Sequence, residues 1–124
     1  MCITDFNSIS WSPVSAKRRE HAQLLGELFK ERYPQLVEKC NGRIERAVEI
    51  VSRVGACRTD PRPYVYLVES QSGNGYYEVD VKAKSCTCPD SAKGYMCKHR
   101  LAIGFHLSSS DWITEYQKNL MRSQ

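Results

Sequence analysis

A chain of 124 residues, 41% apolar and 26% charged, is long enough to bury one core and too polar to be a membrane protein. Its formal net charge of +4 permits contact with nucleic acid without demanding it, and no apolar run approaches the roughly 20 residues that span a bilayer. The opening Met1-Cys2-Ile3-Thr4-Asp5 has neither the basic nor the apolar region of a secretory signal, so an intracellular protein is expected, cytoplasmic or, in a eukaryote, nuclear.

Residues 1–11 show no periodicity and read as an arm. Ser12-Pro13 makes a helix start, with serine as N-cap and proline at the first helical position, where its missing N–H costs nothing. From there to Tyr33, Ala22, Leu25, Leu28 and Phe29 recur at helical spacing. The opposite face carries Lys17, Arg18, Arg19, Glu27, Lys30 and Glu31, a charge run that reads first as a solvated face and only second as a nucleic-acid contact. Pro34 interrupts this helix, because the residue before a proline is driven out of the α region. A second helix begins nearby and Asn41-Gly42 breaks it. Beyond the break Ile44, Ala47, Val48, Val51 and Val54 follow the i, i+3, i+4, i+7 rule to a stop at Gly55. Arg43, Arg46 and Arg53 are mixed here with Glu45 and Glu49, which favours solvation over a phosphate track.

Residues 56–63 combine Pro61 and Pro63 with charged residues and read as a linker closing an N-terminal helical region, 1–61. The register then changes to strand. Tyr64-Val65-Tyr66-Leu67-Val68 is rich in β-branched and aromatic residues, and Tyr77, Val79 and Val81 alternate with Glu78, Asp80 and Lys82. Gln71-Ser72-Gly73-Asn74-Gly75 between them is a turn, so the two runs should pair as an antiparallel hairpin. A short extended stretch, Ser85 to Cys88, puts Cys86 and Cys88 on one face, since alternate residues of extended chain point the same way. Pro89-Asp90-Ser91 starts a turn in which Asp90 caps the backbone, and Gly94 lets the chain return. Cys97 and His99 then stand at the entrance to a helix whose apolar face, Leu101, Ala102 and Phe105, is expected on the hairpin. Ser108-Ser109-Ser110-Asp111 reads as a polar break, dividing residues 62–107 from a last helix within 108–124 with Trp112, Ile113, Tyr116 and Leu120 as its stripe. The core is expected to include Val48, Val51, Leu67, Val79 and Phe105. The fold class is therefore α+β: N-terminal helices, a hairpin leading into a knuckle, then helix, in one small domain.

Cys86 with Cys88 and Cys97 with His99 form two ligand pairs, each separated by one residue. Three thiolates and one imidazole complete the tetrahedral shell of Zn²⁺ and leave no position for water or substrate, which marks one structural zinc ion. A disulfide framework fits poorly, because no secretory signal is visible and cysteines one residue apart bridge badly to each other. Cys40 and Cys57 read as packing residues and Cys2 as an inert terminal thiol. His106 reads as an ordinary helix histidine, since four ligands already close the site.

The C-x-C…C-x-H arrangement, with Pro89-Asp90 after the second cysteine, Leu101-Ala102-Ile103-Gly104-Phe105 after the histidine and Tyr76-Tyr77-Glu78-Val79-Asp80-Val81 upstream, resembles the SWIM zinc finger over residues 62–106. The resemblance implies a strand pair into the first two ligands, a helix out of the last, and binding to DNA or protein. Family members often carry an aromatic residue directly after Pro-Asp. Here that residue is Ser91, and Tyr95 is expected to supply the ring.

No enzyme is expected, because the closed site offers no open position and Ser72-Gly73-Asn74-Gly75 joins two strands rather than a strand to a helix. Lys82, Lys84, Lys93, Lys98 and Arg100 cluster in sequence around the ligands, opposed locally by Asp80 and Asp90. These five are the candidate nucleic-acid contacts, to DNA or RNA, because phosphates are met mainly by lysine and arginine. The expected function is a nucleic-acid-binding structural zinc finger working within a larger nucleic-acid-processing complex, with no membrane and no small-molecule substrate. The alternative is a protein-interaction adaptor that never touches nucleic acid.

Overall fold

Helices come first and last around an antiparallel sheet in the computed structural model, which describes residues 16–40, 42–73, 75–93 and 96–122. The Ser12-Pro13 helix start, the arm before it with Cys2, the turn residues Asn41 and Asn74, and Gly94 and Tyr95 of the knuckle lie outside the described residues. No helix among the described residues is long and apolar enough to cross a membrane.

Helix α1 (Ala16–Arg32) buries the expected face of Ala22, Leu25, Leu28 and Phe29. Pro34 starts a second helix as expected, α2 (Pro34–Cys40), with Tyr33 as the residue between them. Gly42, at φ 85°, takes the left-handed conformation that admits glycine most readily, and α3 (Arg43–Val51) begins beyond it. The helix stops earlier than Gly55: Ser52 caps it by donating its hydroxyl to the Glu49 carbonyl at 2.7 Å. Val54, expected on the buried stripe, is therefore past the helical register and 47% exposed.

Helices α1 and α3 approach closely at Gly26, where an added Cβ would sit 2.8 Å from Val48 Cγ2. Alanine is favoured over glycine inside a helix by about 1 kcal/mol, whereas overpacking costs about 1–3 kcal/mol. Gly26→Ala should therefore lower unfolding stability in urea by about 1 kcal/mol. In a Val48→Ala background the same change should become neutral or stabilising.

The strands β1 (Cys57–Thr59), β2 (Val65–Glu69), β3 (Tyr76–Asp80) and β4 (Ser85–Cys86) form an antiparallel sheet in chain order. The hairpin is as expected, with Tyr66 opposite Val79 and Val68 opposite Tyr77, and the turn uses Gly73 at φ 81° and Gly75 at φ 97°. The linker reading fails at its centre, since Cys57 pairs with Val68 and Thr59 with Tyr66 to make an edge strand. Cys57 turns its side chain into the core, and burial pushes its thiol up to about 12. Pro61 and Pro63 follow where pairing has ended, at positions that need donate nothing to a ladder.

Alternation decides which strand residues face the helices. Tyr66 and Val68 share the core side with Val79, whereas Leu67 lies opposite Glu78 on the outer side and is only partly buried. Leu67 is thus not a core residue and Val68 is. Val48 packs at the edge of the core, while Val51, Val79 and Phe105 are buried as expected.

After the short helix α4 (Pro89–Ala92), one continuous helix, α5 (Lys98–Arg122), runs through the expected break at Ser108–Asp111. Tertiary contacts on both sides of that polar run hold it helical. His21 Nε2 meets Ser109 Oγ at 2.5 Å, Arg32 pairs with Glu115 at 2.9 Å and lies over the Trp112 ring, and Trp112 packs toward Phe105. Helix α5 lies mainly on α3 and reaches the sheet as well, so its apolar face is shared rather than confined to the hairpin.

Candidate metal centre and the cleft beside it

Four elements bring the ligands together. Cys86 is held by its pairing with Val79 across β3 and β4. Thr87 donates its backbone N–H to the Glu78 carbonyl at 3.1 Å and accepts the Glu78 N–H on Oγ1 at 3.0 Å. Cys88 keeps extended backbone, φ −77° and ψ 158°, so its sulfur follows that of Cys86 to one side. It is also the N-cap of α4, where Pro89 takes the first turn and Ser91 donates its N–H to Cys88 Sγ at 3.4 Å. Asp90 was expected to be the local cap; the sulfur has that role. Cys97 and His99 flank the first residue of α5.

The four ligand atoms lie within 4.8 Å of one another. Zn–S bonds of about 2.3 Å in a tetrahedron place sulfurs about 3.8 Å apart, so the cluster has the dimensions of one four-coordinate ion. Cys88, Cys97 and His99 are buried and Cys86 is half-buried. Both ring nitrogens of His99 are buried without a hydrogen-bond partner. An orphaned imidazole facing three thiols is costly unless a cation takes one of its nitrogens. The donor set therefore fits one structural zinc, and fills its shell.

The three thiols at this centre shift in opposite directions. Cys97 is drawn down to about 3, first by its interaction with Cys86 and further by His99 and the Arg100 N–H, against the effect of burial. Cys86 is pushed far above the thiol range by its interaction with Cys97 and by burial, with the Cys88 N–H opposing. Burial raises Cys88 too, opposed by the Ser91 N–H. The three titrate as one cluster whose remaining protons a divalent cation displaces.

Residues 77–103 match the model of the SWIM zinc finger. No curated protein and no solved structure matches the chain. The SWIM zinc finger is a binding module, and the cluster that the structure gathers at this segment, Cys86, Cys88, Cys97 and His99, is the set expected from their spacing to hold zinc. Tyr77 packs its ring on His99, centroids 4.4 Å apart, and so supplies an aromatic contact to a ligand that the spacing after Pro-Asp did not reveal. The alternation that put Tyr77 on the inner face of β3 was the available signal. His106 stands apart from the metal cluster, beside Arg18 and His21, and burial lowers its pKa.

A cleft of about 430 Å³ opens next to the centre, with Cys88 and His99 in its wall. Arg43 reaches across from α3 to grip Asp90 with two bonds, Nε–Oδ2 at 2.6 Å and Nη2–Oδ1 at 2.9 Å. That bond is the main reason the Asp90 carboxyl is held below the usual carboxylate range. The pair's stabilisation is present above the ordinary carboxylate pKa and lost as pH falls through the lowered one. Nothing local in the sequence announces it, because the partners are 47 residues apart.

The five expected nucleic-acid contacts do not converge. Lys93 and Lys98 line the cleft, Lys98 donating to Gln71 Oε1 at 2.5 Å. Burial, and secondarily Arg46, hold Lys98 below the usual lysine range. Arg100 lines a separate apolar groove with Phe29, Tyr33 and Trp112. Lys82 lies over the Tyr64 ring and Lys84, at φ 58°, occupies the turn between β3 and β4. Arg46, set aside from the sequence as a solvated charge, lines the cleft instead. Its neighbouring carboxylates are engaged elsewhere, Glu45 with Lys30 and Glu49 with Arg19 and Arg53. The pairing of Arg19 with Glu49, together with a 3.0 Å bond from Arg18 to the Val51 carbonyl, ties α1 to α3 and gives these two cations a structural role.

Proposed function

We propose that the protein is a structural zinc-finger module that binds nucleic acid through its phosphates, inside the cell and within a larger nucleic-acid-processing complex. One observation carries this reading. Among the described residues, Lys82, Lys84, Lys93, Lys98 and Arg100 have no carboxylate partner, whereas Arg19, Lys30, Arg32, Arg43, Arg53 and Arg62 are ion-paired. The cations around the finger are thus available to an external anion, and the metal gives Lys93, Lys98 and Arg100 a rigid footing. Clustered thiols beside an imidazole suit a reducing compartment.

Phosphate contacts release counterions, so affinity depends on salt. Replacing Lys93, Lys98 and Arg100 together by alanine should reduce the slope of log affinity against log salt for duplex DNA by up to about 2.7, at roughly 0.9 for each lost contact. Zinc content and melting temperature should stay at wild-type values. An unaltered slope, or no binding by the wild-type protein in a gel shift, would favour the adaptor reading instead.

A further inference from the structure

We propose that the cleft beside the finger, walled by α3, the β2–β3 turn and α4, is a phosphate-binding site. Its electrostatics are one-sided. Asp90 contributes the carboxylate in the lining, and Arg43 already neutralises it through two bonds. Arg46 and Lys93 have no carboxylate partner among the described residues, and Lys98 touches the neutral amide of Gln71. Four cations, Arg43 included, therefore face a lining whose one carboxylate is Asp90, an excess of three positive charges. A zinc-loaded finger, formally a monoanion, offsets one of these charges from behind Cys88 and His99 and leaves an excess of two.

The remaining lining suits a group with several acceptor oxygens. Ser70 Oγ and Ser72 Oγ are 2.7 Å apart, and one hydrogen bond between two hydroxyls leaves one O–H to donate elsewhere. An arginine, two lysines and a hydroxyl pair match the spread charge and multiple acceptors of phosphate.

The backbone that carries these cations is in place before a ligand arrives. Lys98 lies between two metal ligands, Lys93 directly follows α4, and Arg46 projects from α3. The Arg43–Asp90 pair clamps α3 to the finger across the cleft. The ordering cost of binding then falls on the exposed Arg46 and Lys93 side chains rather than on the backbone. The charge and hydroxyls of the site stand by themselves; that the phosphate belongs to a nucleic-acid strand rests on the function proposed above.

Inorganic phosphate, titrated into the zinc-loaded full chain against chloride at equal ionic strength, tests the site by amide shifts in NMR. Expected are saturating shifts at Ser70, Ser72 and Lys98, with affinity at least about tenfold weaker in Arg46→Gln and in Lys93→Gln, since each removes a charged hydrogen-bonding partner. Lys118→Gln, which removes one charge from the far end of α5, should leave phosphate affinity unchanged. Zinc content confirms that each variant is folded. A labelled oligonucleotide should be displaced by phosphate more than by chloride. Oligonucleotide binding that ignores both phosphate and Arg46→Gln, with no saturating shifts, would overturn the cleft and leave the nucleic-acid reading intact. Phosphate bound through Arg46 with no oligonucleotide binding would overturn the carrier and with it the nucleic-acid reading.

Discussion

Replacing Cys88 with alanine should abolish stoichiometric zinc and unfold the segment from β3 to the start of α5. Cys88 supplies one of four donors and is also the cap of α4, so its loss opens the metal shell and frees the Ser91 N–H together. Zinc binding to such a site is worth on the order of 10 kcal/mol and is also folding free energy, while whole domains are stable by about 5–15 kcal/mol. The ligands come from β4, the N-cap of α4 and the start of α5, so the metal ties these three elements together. Metal analysis and circular-dichroism melting measure both effects. Cys57→Ser is the comparison: its thiol lies outside the cluster, so zinc should stay stoichiometric. Stoichiometric zinc with an unchanged melt in Cys88→Ala would remove Cys88 from the ligand set.

Phe105→Ala should cost about 3–5 kcal/mol in urea unfolding, the range for deleting a fully buried aromatic side chain. Phe105 is 1% exposed, meets Phe29 edge-on at 5.6 Å and lies 6.3 Å from Trp112. It therefore connects α1 to both halves of α5. Leu107 on the same helix is 47% exposed, and Leu107→Ala should change stability by no more than about 0.5 kcal/mol. Equal losses from the two variants would contradict this packing.

The metal site was legible because its chemistry is local: four donors within fourteen residues, with a spacing that extended chain and a helix start convert directly into convergence. The hairpin was legible for the same reason, since alternating apolar residues and a glycine turn act over a few positions. Where local preference competed with distant contacts, the sequence misled. Serines and an aspartate at 108–111 prefer helix caps, but His21, Arg32 and Phe105 hold that run inside one helix. Cys57 sits in a proline-flanked polar stretch and still forms a strand, because β2 offers it an open edge and the core accepts its side chain.

By itself the sequence determined the α+β class, the Cys₃His donor set and the strand that carries its first member. Tertiary structure decided the partners. Whether Leu67 or Val68 entered the core depended on which side of the sheet met the helices. Whether Asp90 capped a turn or gripped Arg43 depended on α3 arriving beside the finger. Whether Arg46 was one more solvated charge or part of a cationic cleft depended on where Glu45 and Glu49 found their own partners. Each outcome turns on contacts between residues far apart in the chain, which composition and periodicity do not encode.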